Sequence, residues 1–251
     1  MCTLTYLPLE NDQFIITTNR DESTLRPAAL APQILQRESG SILCPIDGKA
    51  KGTWVATAET GVTACLLNGA FEKHTPTGNY RMSRGKVVLE VFDHERIDTF
   101  IEAYNLENIE PFTLVLLEKK QQLKLTELRW DGSQKYVQVL NAGIPHLWAS
   151  ATLYPPEVIA KRKQWFKAWL SRTPEFTQEH IIHFHKSAGE GDPENDLLMQ
   201  RGQQLRTVSI TSVLSGQAAS EMHYEDLMDR QVVTQTLTHK RRTSASCAEN
   251  K

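Results

Sequence analysis

The chain lacks the features that mark several large classes of protein. No apolar run approaches the roughly 20 residues needed to span a bilayer, and the N-terminus has no basic region followed by an apolar stretch and a cleavage site. The four cysteines show no paired metal-ligand spacing, there is no glycine-rich phosphate-binding motif, and the net charge of -2 suggests no polyanionic partner. These absences predict a cytoplasmic protein with no transmembrane segment, no nucleic-acid partner, no metal site and no nucleotide cofactor.

What remains is the composition of an ordinary globular protein. Hydrophobic residues make up 40% of the 251 residues and charged residues 23%. That length is ample for one well-buried core, and we expect a single domain over residues 1–238. The only dense basic cluster begins at His239, in a polar segment, 239–251, that we expect to be a disordered tail.

Local patterns predict strands separated by two groups of helices. Segments rich in β-branched and aromatic residues predict strands at 2–7, 14–18, 53–57, 62–67, 112–117, 123–130, 207–214 and 231–237. Helical periodicity predicts helices at 83–92, 95–104, 157–170 and 178–186. This order fits an α+β fold in which two antiparallel sheets pack together with helices outside them.

Cys2 is the residue best suited to carry chemistry. Its small side chain permits removal of Met1, which leaves a free α-amine beside the thiol. The ordinary pKa values of the amine and the thiol are about 7.7–8.0 and about 8.5. Near neutral pH the amine can therefore accept the thiol proton and later donate it to a leaving group. The position of Cys2 alone does not distinguish a catalytic role from the chance presence of a cysteine at the second position.

Four polar residues, Asn19–Glu22, follow the second predicted strand, where antiparallel hairpin pairing with the first strand places them near Cys2. Side chains alternate along an extended chain, so Asn19 and Asp21 should point one way and Arg20 and Glu22 the other. Asp21 is suited to accept a hydrogen bond from the terminal ammonium, and Arg20 to lower the thiol pKa or bind a substrate carboxylate. The alternative is a charged turn whose arginine and glutamate are merely solvated.

These motifs resemble the NRDE family, also called the transport and Golgi organization protein 2 family. The resemblance extends over about residues 1–240, and its first third is the most specific part. The motifs are Met1-Cys2-Thr3, Asn19-Arg20-Asp21-Glu22, Arg26-Pro27, Gly52-Thr53-Trp54, Leu67-Asn68, Arg84-Gly85 and Arg206-Thr207. That family is similar to the N-terminal nucleophile hydrolases, among them choloylglycine hydrolases and penicillin V acylases, which implies an αββα four-layer sandwich.

The resemblance also implies roles for single residues. Cys2 corresponds to the nucleophile, Asp21 to the aspartate that hydrogen-bonds the nucleophile's amine, and Asn68 to the asparagine whose side-chain amide helps form the oxyanion hole. Arg206 corresponds to a C-terminal arginine near the nucleophile. Arg20 is expected at the same site, but it belongs to the NRDE pattern and not to that of the hydrolases.

The chain departs from the family pattern at two places. Leu66-Leu67-Asn68-Gly69 stands where the family usually has Leu-Thr-Asn-Tyr, so an aromatic wall is missing. Ala149-Ser150-Ala151 stands where the hydrolases have an asparagine, which leaves Ser150 or a backbone N–H as the second oxyanion donor. We expect Ser150 and Asn19 to be the substrate-binding residues. Losing one oxyanion donor typically costs about 10²- to 10³-fold in rate.

Two functions of different class fit these observations. The leading expectation is an N-terminal cysteine amidohydrolase without a cofactor, which attacks the carbon–nitrogen bond of a small-molecule amide and forms an acyl-enzyme. The alternative, suggested by the same resemblance, is a non-catalytic protein that binds or carries haem or another hydrophobic metabolite such as acyl-CoA. Cys44-Pro45, interpreted as a loop thiol, leaves room for a haem contact.

Overall fold

The computed structural model describes residues 3–240. Met1, Cys2 and residues 241–251 lie outside the described residues, so the predicted position of Cys2 and most of the predicted tail stay predictions. Two residues assigned to the tail are described, and both are held in place. The backbone N–H of His239 donates to the carbonyl of Ala218, and that of Lys240 to the carbonyl of Glu59.

The described chain alternates between groups of strands and pairs of helices. Its strands are β1 (Thr3–Pro8), β2 (Phe14–Ser23), β3 (Leu30–Arg37), β4 (Gly40–Ile46), β5 (Val55–Ala58), β6 (Val62–Asn68), β7 (Phe112–Lys119), β8 (Leu123–Trp130), β9 (Lys135–Leu140), β10 (His146–Ala149), β11 (Gln200–Arg201), β12 (Leu205–Ser215), β13 (Ala219–Asp226) and β14 (Gln231–Thr238). Its helices are α1 (Arg84–Glu90), α2 (Ile97–Ala103), α3 (Pro156–Leu170) and α4 (Gln178–Ser187), and a 3₁₀ turn, Val91–Asp93, follows α1. No helix in residues 3–240 is long and apolar enough to cross a membrane.

These elements form four layers. One seven-stranded antiparallel sheet is a meander, in the order β3 to β9, and packs its outer face on α1 and α2. The other sheet has the order β10-β1-β2-β12-β13-β14, with β11 beside β12, and packs its outer face on α3 and α4. A third apolar cluster fills the space between the sheets. The expected α+β sandwich with helices on both outer faces is confirmed.

The second strand is longer than the sequence predicts. It was expected to end at Thr18, yet β2 continues to Ser23 because β12 pairs with it as far as Leu205 opposite Ser23. The Asn19–Glu22 segment therefore lies inside a central strand, and its first three residues are buried. The interpretation of this segment as a solvated turn is wrong.

Cys44 lies in a strand and not in a loop. Its side chain is fully buried in the core beneath α1 and α2, and burial raises the pKa of its thiol to about 12. The neighbouring Pro45, which argued against a strand, is tolerated because β5 pairs with β4 only at Ile42 and Leu43. A haem iron has no access to this thiol without opening the core.

Two glycines of the family motifs are required where the backbone of the loop before β5 contacts the start of α1. A Cβ added to Gly52 would lie 2.4 Å from the carbonyl carbon of Gly85, and a Cβ on Gly85 would lie 2.9 Å from the carbonyl oxygen of Thr53. Both obstacles are backbone atoms, so no side-chain rotation relieves them. The N–H of Thr53 also donates to the carbonyl of Gly85 at 2.9 Å.

Replacing Gly52 by alanine should therefore destabilise the protein by at least about 2 kcal/mol, since the added methyl forces backbone displacement. Urea unfolding monitored by tryptophan fluorescence measures the loss. Gly143→Ala is the matched control, because a Cβ there meets only the side-chain oxygen of Asn141 at 3.2 Å. Equal stability of the two variants would contradict the steric account.

Candidate active site

The predicted site lies where the first strand begins, in the middle of a sheet. Thr3 pairs with Asn19 on β2 and with Ala149 on β10. The Thr3 side chain is fully buried. Asp21 lies on β2 two residues beyond the pair formed by Thr3 and Asn19.

The polar side chains of β2 project from opposite faces of the sheet, as the alternation of side chains along a strand predicts. Asn19 faces the helix side, where its amide donates to the carbonyl of Leu197 at 2.7 Å and that of His185 at 3.3 Å. Its Oδ1 lies 2.6 Å from His185 Nδ1. Both ends of the fully buried Asn19 amide are thus engaged within the protein, so the expected role in substrate contact stays a prediction without support from this geometry.

The tautomer of His185 follows from the orientation of this amide. Because Asn19 Nδ2 donates twice, Oδ1 must accept, so Nδ1 of His185 carries the proton and Nε2 accepts from the Thr5 hydroxyl at 2.8 Å. Burial, and to a lesser extent the charge of Arg162, lowers the pKa of His185 to about 3. The ring is neutral at physiological pH, and its role is structural.

Asp21 faces the same side as Asn19 and is buried. The Tyr154 hydroxyl donates to its Oδ2 at 2.5 Å and the Thr207 hydroxyl to its Oδ1 at 2.6 Å. Thr207 Oγ1 in turn accepts the backbone N–H of Met199 at 2.9 Å. The carboxylate is therefore held in a fixed orientation by two hydroxyl donors.

Arg20 faces the space between the sheets and is bound to a carboxylate that the sequence did not single out. Its Nη2 donates to Asp47 at 2.6 Å, and its guanidinium lies 4.8 Å from the ring centroid of Trp54. Arg26 also donates twice to Asp47, at 2.8 Å in each bond, and Glu22 lies 3.7 Å from Arg20. Asp47 thus neutralises much of the charge that was expected to act on the thiol.

The pKa of Asp47 reflects two opposing effects. Burial raises it, but hydrogen bonds from Arg26 and from the backbone N–H of Ala50, together with the charges of Arg26 and Arg20, outweigh burial and lower it to about 2. The carboxylate is therefore ionised at every pH at which the protein is expected to work.

A pocket of about 220 Å³ opens beside Arg20. Its charged lining residues are Arg20, Arg26, Arg84, Glu22, Asp47 and Glu110, so arginines and carboxylates balance. Trp54 and Leu66 supply apolar surface, and Asn68 completes this part of the lining. The side-chain amide of Asn68 makes no hydrogen bond within residues 3–240, which leaves it available to a ligand.

The turn after β10 holds the end of β6 and explains why Gly69 replaces an aromatic residue. The buried Ser150 hydroxyl donates to the Asn68 carbonyl at 2.8 Å. Gly69 has φ +83, and a Cβ there would lie 2.5 Å from Thr152 Oγ1 and 2.9 Å from its backbone nitrogen. Ser150 thus positions Asn68, and the proton of the Ser150 hydroxyl is already engaged in this hydrogen bond. Its expected role as the second oxyanion donor stays a prediction.

The structure does not bring Arg206 into the pocket. It lies on β12 opposite Glu22, and its guanidinium makes no hydrogen bond or ion pair within residues 3–240. The sequence analysis missed Asp47, Tyr154, Arg162 and His185, which hold the side chains of β1 and β2. His185 lies on α4, and no pattern in the sequence pairs it with Asn19.

Larger surface grooves carry none of the expected site residues. A groove of about 680 Å³ beside α4 is lined by His180, His183 and His223. Among residues 3–240, no group of three or more His, Cys, Asp or Glu side chains is arranged to hold a metal ion. The 220 Å³ pocket is smaller than the roughly 300–1,000 Å³ typical of drug-sized ligands. Together with the burial of Cys44, this size does not fit haem.

Comparisons with known proteins agree with this architecture. The sequence profile of the family described as Transport and Golgi organisation 2 matches residues 1–223. A comparison with curated proteins finds no match. Among solved structures, the chain is similar to two variants of conjugated bile acid hydrolase from Clostridium perfringens, with TM-scores of 0.60 and 0.57, 10% identity and coverage of 96% of this chain and 97% of theirs.

The chain is also similar to the Caenorhabditis elegans ortholog of N-acylethanolamine-hydrolyzing acid amidase. That match has a TM-score of 0.56 and 12% identity, and it covers 86% of this chain and 94% of the other. At such identities the likeness shows the fold alone, which is that of the N-terminal nucleophile hydrolases. The fold implied by the sequence motifs is confirmed.

Replacing Asp47 by asparagine should destabilise the protein by about 2 kcal/mol at pH 7, because the folded-state pKa lies below the ordinary 3.8. A depressed folded pKa contributes stability that is present above about pH 5 and is lost progressively as the pH falls to about 1. The difference in the free energy of unfolding between wild type and variant, measured by urea unfolding, should therefore shrink across that interval. The exposed Asp229→Asn serves as control, and a difference as large at about pH 2 as at pH 7 would contradict this account.

Proposed function

The chain belongs to the Transport and Golgi organisation 2 family, and we propose that it is an N-terminal cysteine amidohydrolase whose nucleophile is Cys2. The observation that carries the proposal is Asp21, a buried carboxylate held by two hydroxyl donors on β2, two residues beyond the partner of the first residue of β1. An aspartate in this place is suited to bind the α-ammonium of a chain that starts at Cys2. Similarity to an amidase and to a bile acid hydrolase supports the same reaction class.

The reaction requires two proton transfers through the terminal amine. The α-amine takes the proton of the Cys2 thiol as sulfur attacks the amide carbonyl carbon, and the carbonyl oxygen becomes an oxyanion. The carbon–nitrogen bond then breaks, and the α-ammonium gives its proton to the departing amine. Water, deprotonated by the same amine, attacks the thioester carbon and the carbon–sulfur bond breaks. A carboxylic acid leaves, and the α-ammonium returns its proton to the sulfur, which restores the thiol.

Asn68 is the proposed oxyanion donor. Its amide lines the pocket and has no hydrogen-bond partner within residues 3–240. The Ser150 hydroxyl donates a hydrogen bond to the Asn68 carbonyl and so fixes the backbone of Asn68. Little reorganisation of Asn68 is therefore needed when negative charge develops on the substrate oxygen.

The pocket indicates the kind of substrate. A volume of about 220 Å³ suits a small molecule or the end of a longer one. The arginines and carboxylates of the lining balance in charge, which favours an uncharged amide over a strongly anionic compound. Trp54 and Leu66 offer apolar contact to the acyl part.

The first test concerns Cys2 itself. Intact mass should show a mature protein without Met1, and incubation with small p-nitroanilides and β-lactams should add one acyl group on Cys2 that Cys2→Ala abolishes. Cys44 and Cys65 serve as internal controls, because burial raises the pKa of each thiol to about 12. Retention of Met1, or saturable binding of acyl-CoA with no adduct from any probe, would overturn the hydrolase and favour a carrier.

A second test separates the oxyanion hole from the nucleophile. Asn68→Ala should slow acylation of Cys2 by about 10²- to 10³-fold, because the charge on the carbonyl oxygen loses a donor. Alkylation of Cys2 by iodoacetamide builds no oxyanion and should keep its rate. Asn105→Ala, which removes an amide from an exposed turn, should change neither rate. Equal slowing of both reactions by Asn68→Ala would assign Asn68 a structural role.

A further inference from the structure

Tyr154 is buried between the Asp21 carboxylate and the Arg162 guanidinium, and the proposed chemistry gives neither Tyr154 nor Arg162 a role. Its hydroxyl donates to Asp21 at 2.5 Å. The guanidinium of Arg162 lies over its ring, 3.6 Å from the centroid, and that of Arg201 lies 5.1 Å from the same centroid. Two guanidinium groups therefore lie close to the ring, while its hydroxyl donates to the carboxylate.

Arg162 is a buried cation with an unusual set of partners. It is fully buried, at 0% exposure. It donates to the carbonyls of Asn195 and Asp196 at 3.0 and 2.8 Å and to the hydroxyl of Thr3, and to no carboxylate among residues 3–240. Burying a charge without an opposite charge in contact is costly.

The contacts of this pair reach both the first residue of β1 and the carboxylate proposed to hold the terminal amine. Arg162 binds Thr3, the residue that follows Cys2 in the chain. Tyr154, stacked on Arg162, binds Asp21, the carboxylate proposed to hold the terminal amine. A cation on the face of a phenol ring withdraws electron density from it and strengthens its hydroxyl as a donor.

We propose that Tyr154, stacked on Arg162, is a positioning residue that fixes the Asp21 carboxylate and limits its negative charge, so that the terminal amine is held in place yet loses its proton near neutral pH. This inference rests on the proposed function. A bare buried carboxylate would hold the ammonium so strongly that little free amine remained to act as base. Hydroxyl donors on both Asp21 oxygens moderate that attraction.

The other ionisable side chains around this carboxylate are arginines, one histidine and one aspartate. On the helix side these are His185, which stays neutral because burial lowers its pKa to about 3, and the arginines of α3 and β11, Arg162 and Arg201. On the strands, Arg206 lies beside Thr207 on β12. The pocket side carries Arg20 with Asp47, whose pKa of about 2 keeps it ionised. A change of charge near neutral pH is therefore assigned to the amine and the thiol.

The decisive experiment measures the pKa of the terminal amine in a Cys2→Ser background, where no thiol titration is coupled to it. Trace acetic anhydride labels the amine across the pH range, and peptide mass spectrometry reads the extent. Tyr154→Phe keeps the ring on Arg162 and removes only the hydroxyl. It should raise the amine pKa by about half a pH unit or more.

Controls of the same chemistry exist in the chain. Tyr136 also donates its hydroxyl to an aspartate, Asp131, at 3.0 Å on the exposed surface, and Tyr136→Phe should leave the amine pKa unchanged. Thr207→Val, which removes the other donor to Asp21, should reproduce the increase, whereas Thr207→Ser should not. These variants keep the inference testable if Tyr154→Phe does not fold.

The outcomes separate this inference from the proposed function. An unchanged amine pKa in both Tyr154→Phe and Thr207→Val would overturn the positioning role even if Cys2 forms acyl adducts. An increase in both variants supports it even if no adduct is found with the probes. Retention of Met1 would overturn both proposals.

Discussion

The burial of three consecutive polar residues in the central strand β2 constrains the rest of the molecule. Asn19, Arg20 and Asp21 pair with β12 and are buried, so water cannot satisfy their side chains. A buried polar group left without a partner costs about 1–3 kcal/mol, and a charged one more. Each of the three therefore needs a partner delivered by another element, and those partners come from distant parts of the sequence.

The partners tie one helical layer and the opposite sheet to one strand. α4 supplies His185 for Asn19, the loop after β4 supplies Asp47 for Arg20, and the turn before α3 supplies Tyr154 for Asp21. A bulge in β12 between Thr207 and Ser209 completes the set. It keeps Thr207 opposite Asp21 and Ser209 opposite Arg20, so a hydroxyl reaches the carboxylate.

The sequence was informative where a local pattern decides the structure. Antiparallel pairing of the first hairpin and the alternation of Asn19 and Asp21 against Arg20 and Glu22 follow from spacing alone. It was uninformative where long-range pairing overrides composition: β4 contains a proline at a position that β5 does not pair, and β2 extends because β12 accompanies it. Asp47, Tyr154 and Arg162 act through contacts that no periodicity encodes.

The two departures from the family pattern have one structural cause. A side chain at position 69 would collide with the turn that contains Ser150 and Thr152, because that turn closes directly onto the end of β6. The glycine permits the approach, and the approach lets the Ser150 hydroxyl reach the Asn68 carbonyl. Loss of the aromatic residue and loss of the second asparagine are therefore coupled, so restoring either alone would disturb the support of Asn68. Under the proposed function, Asn68 is therefore the one side-chain amide offered to an oxyanion, and a second donor would have to be a backbone N–H group.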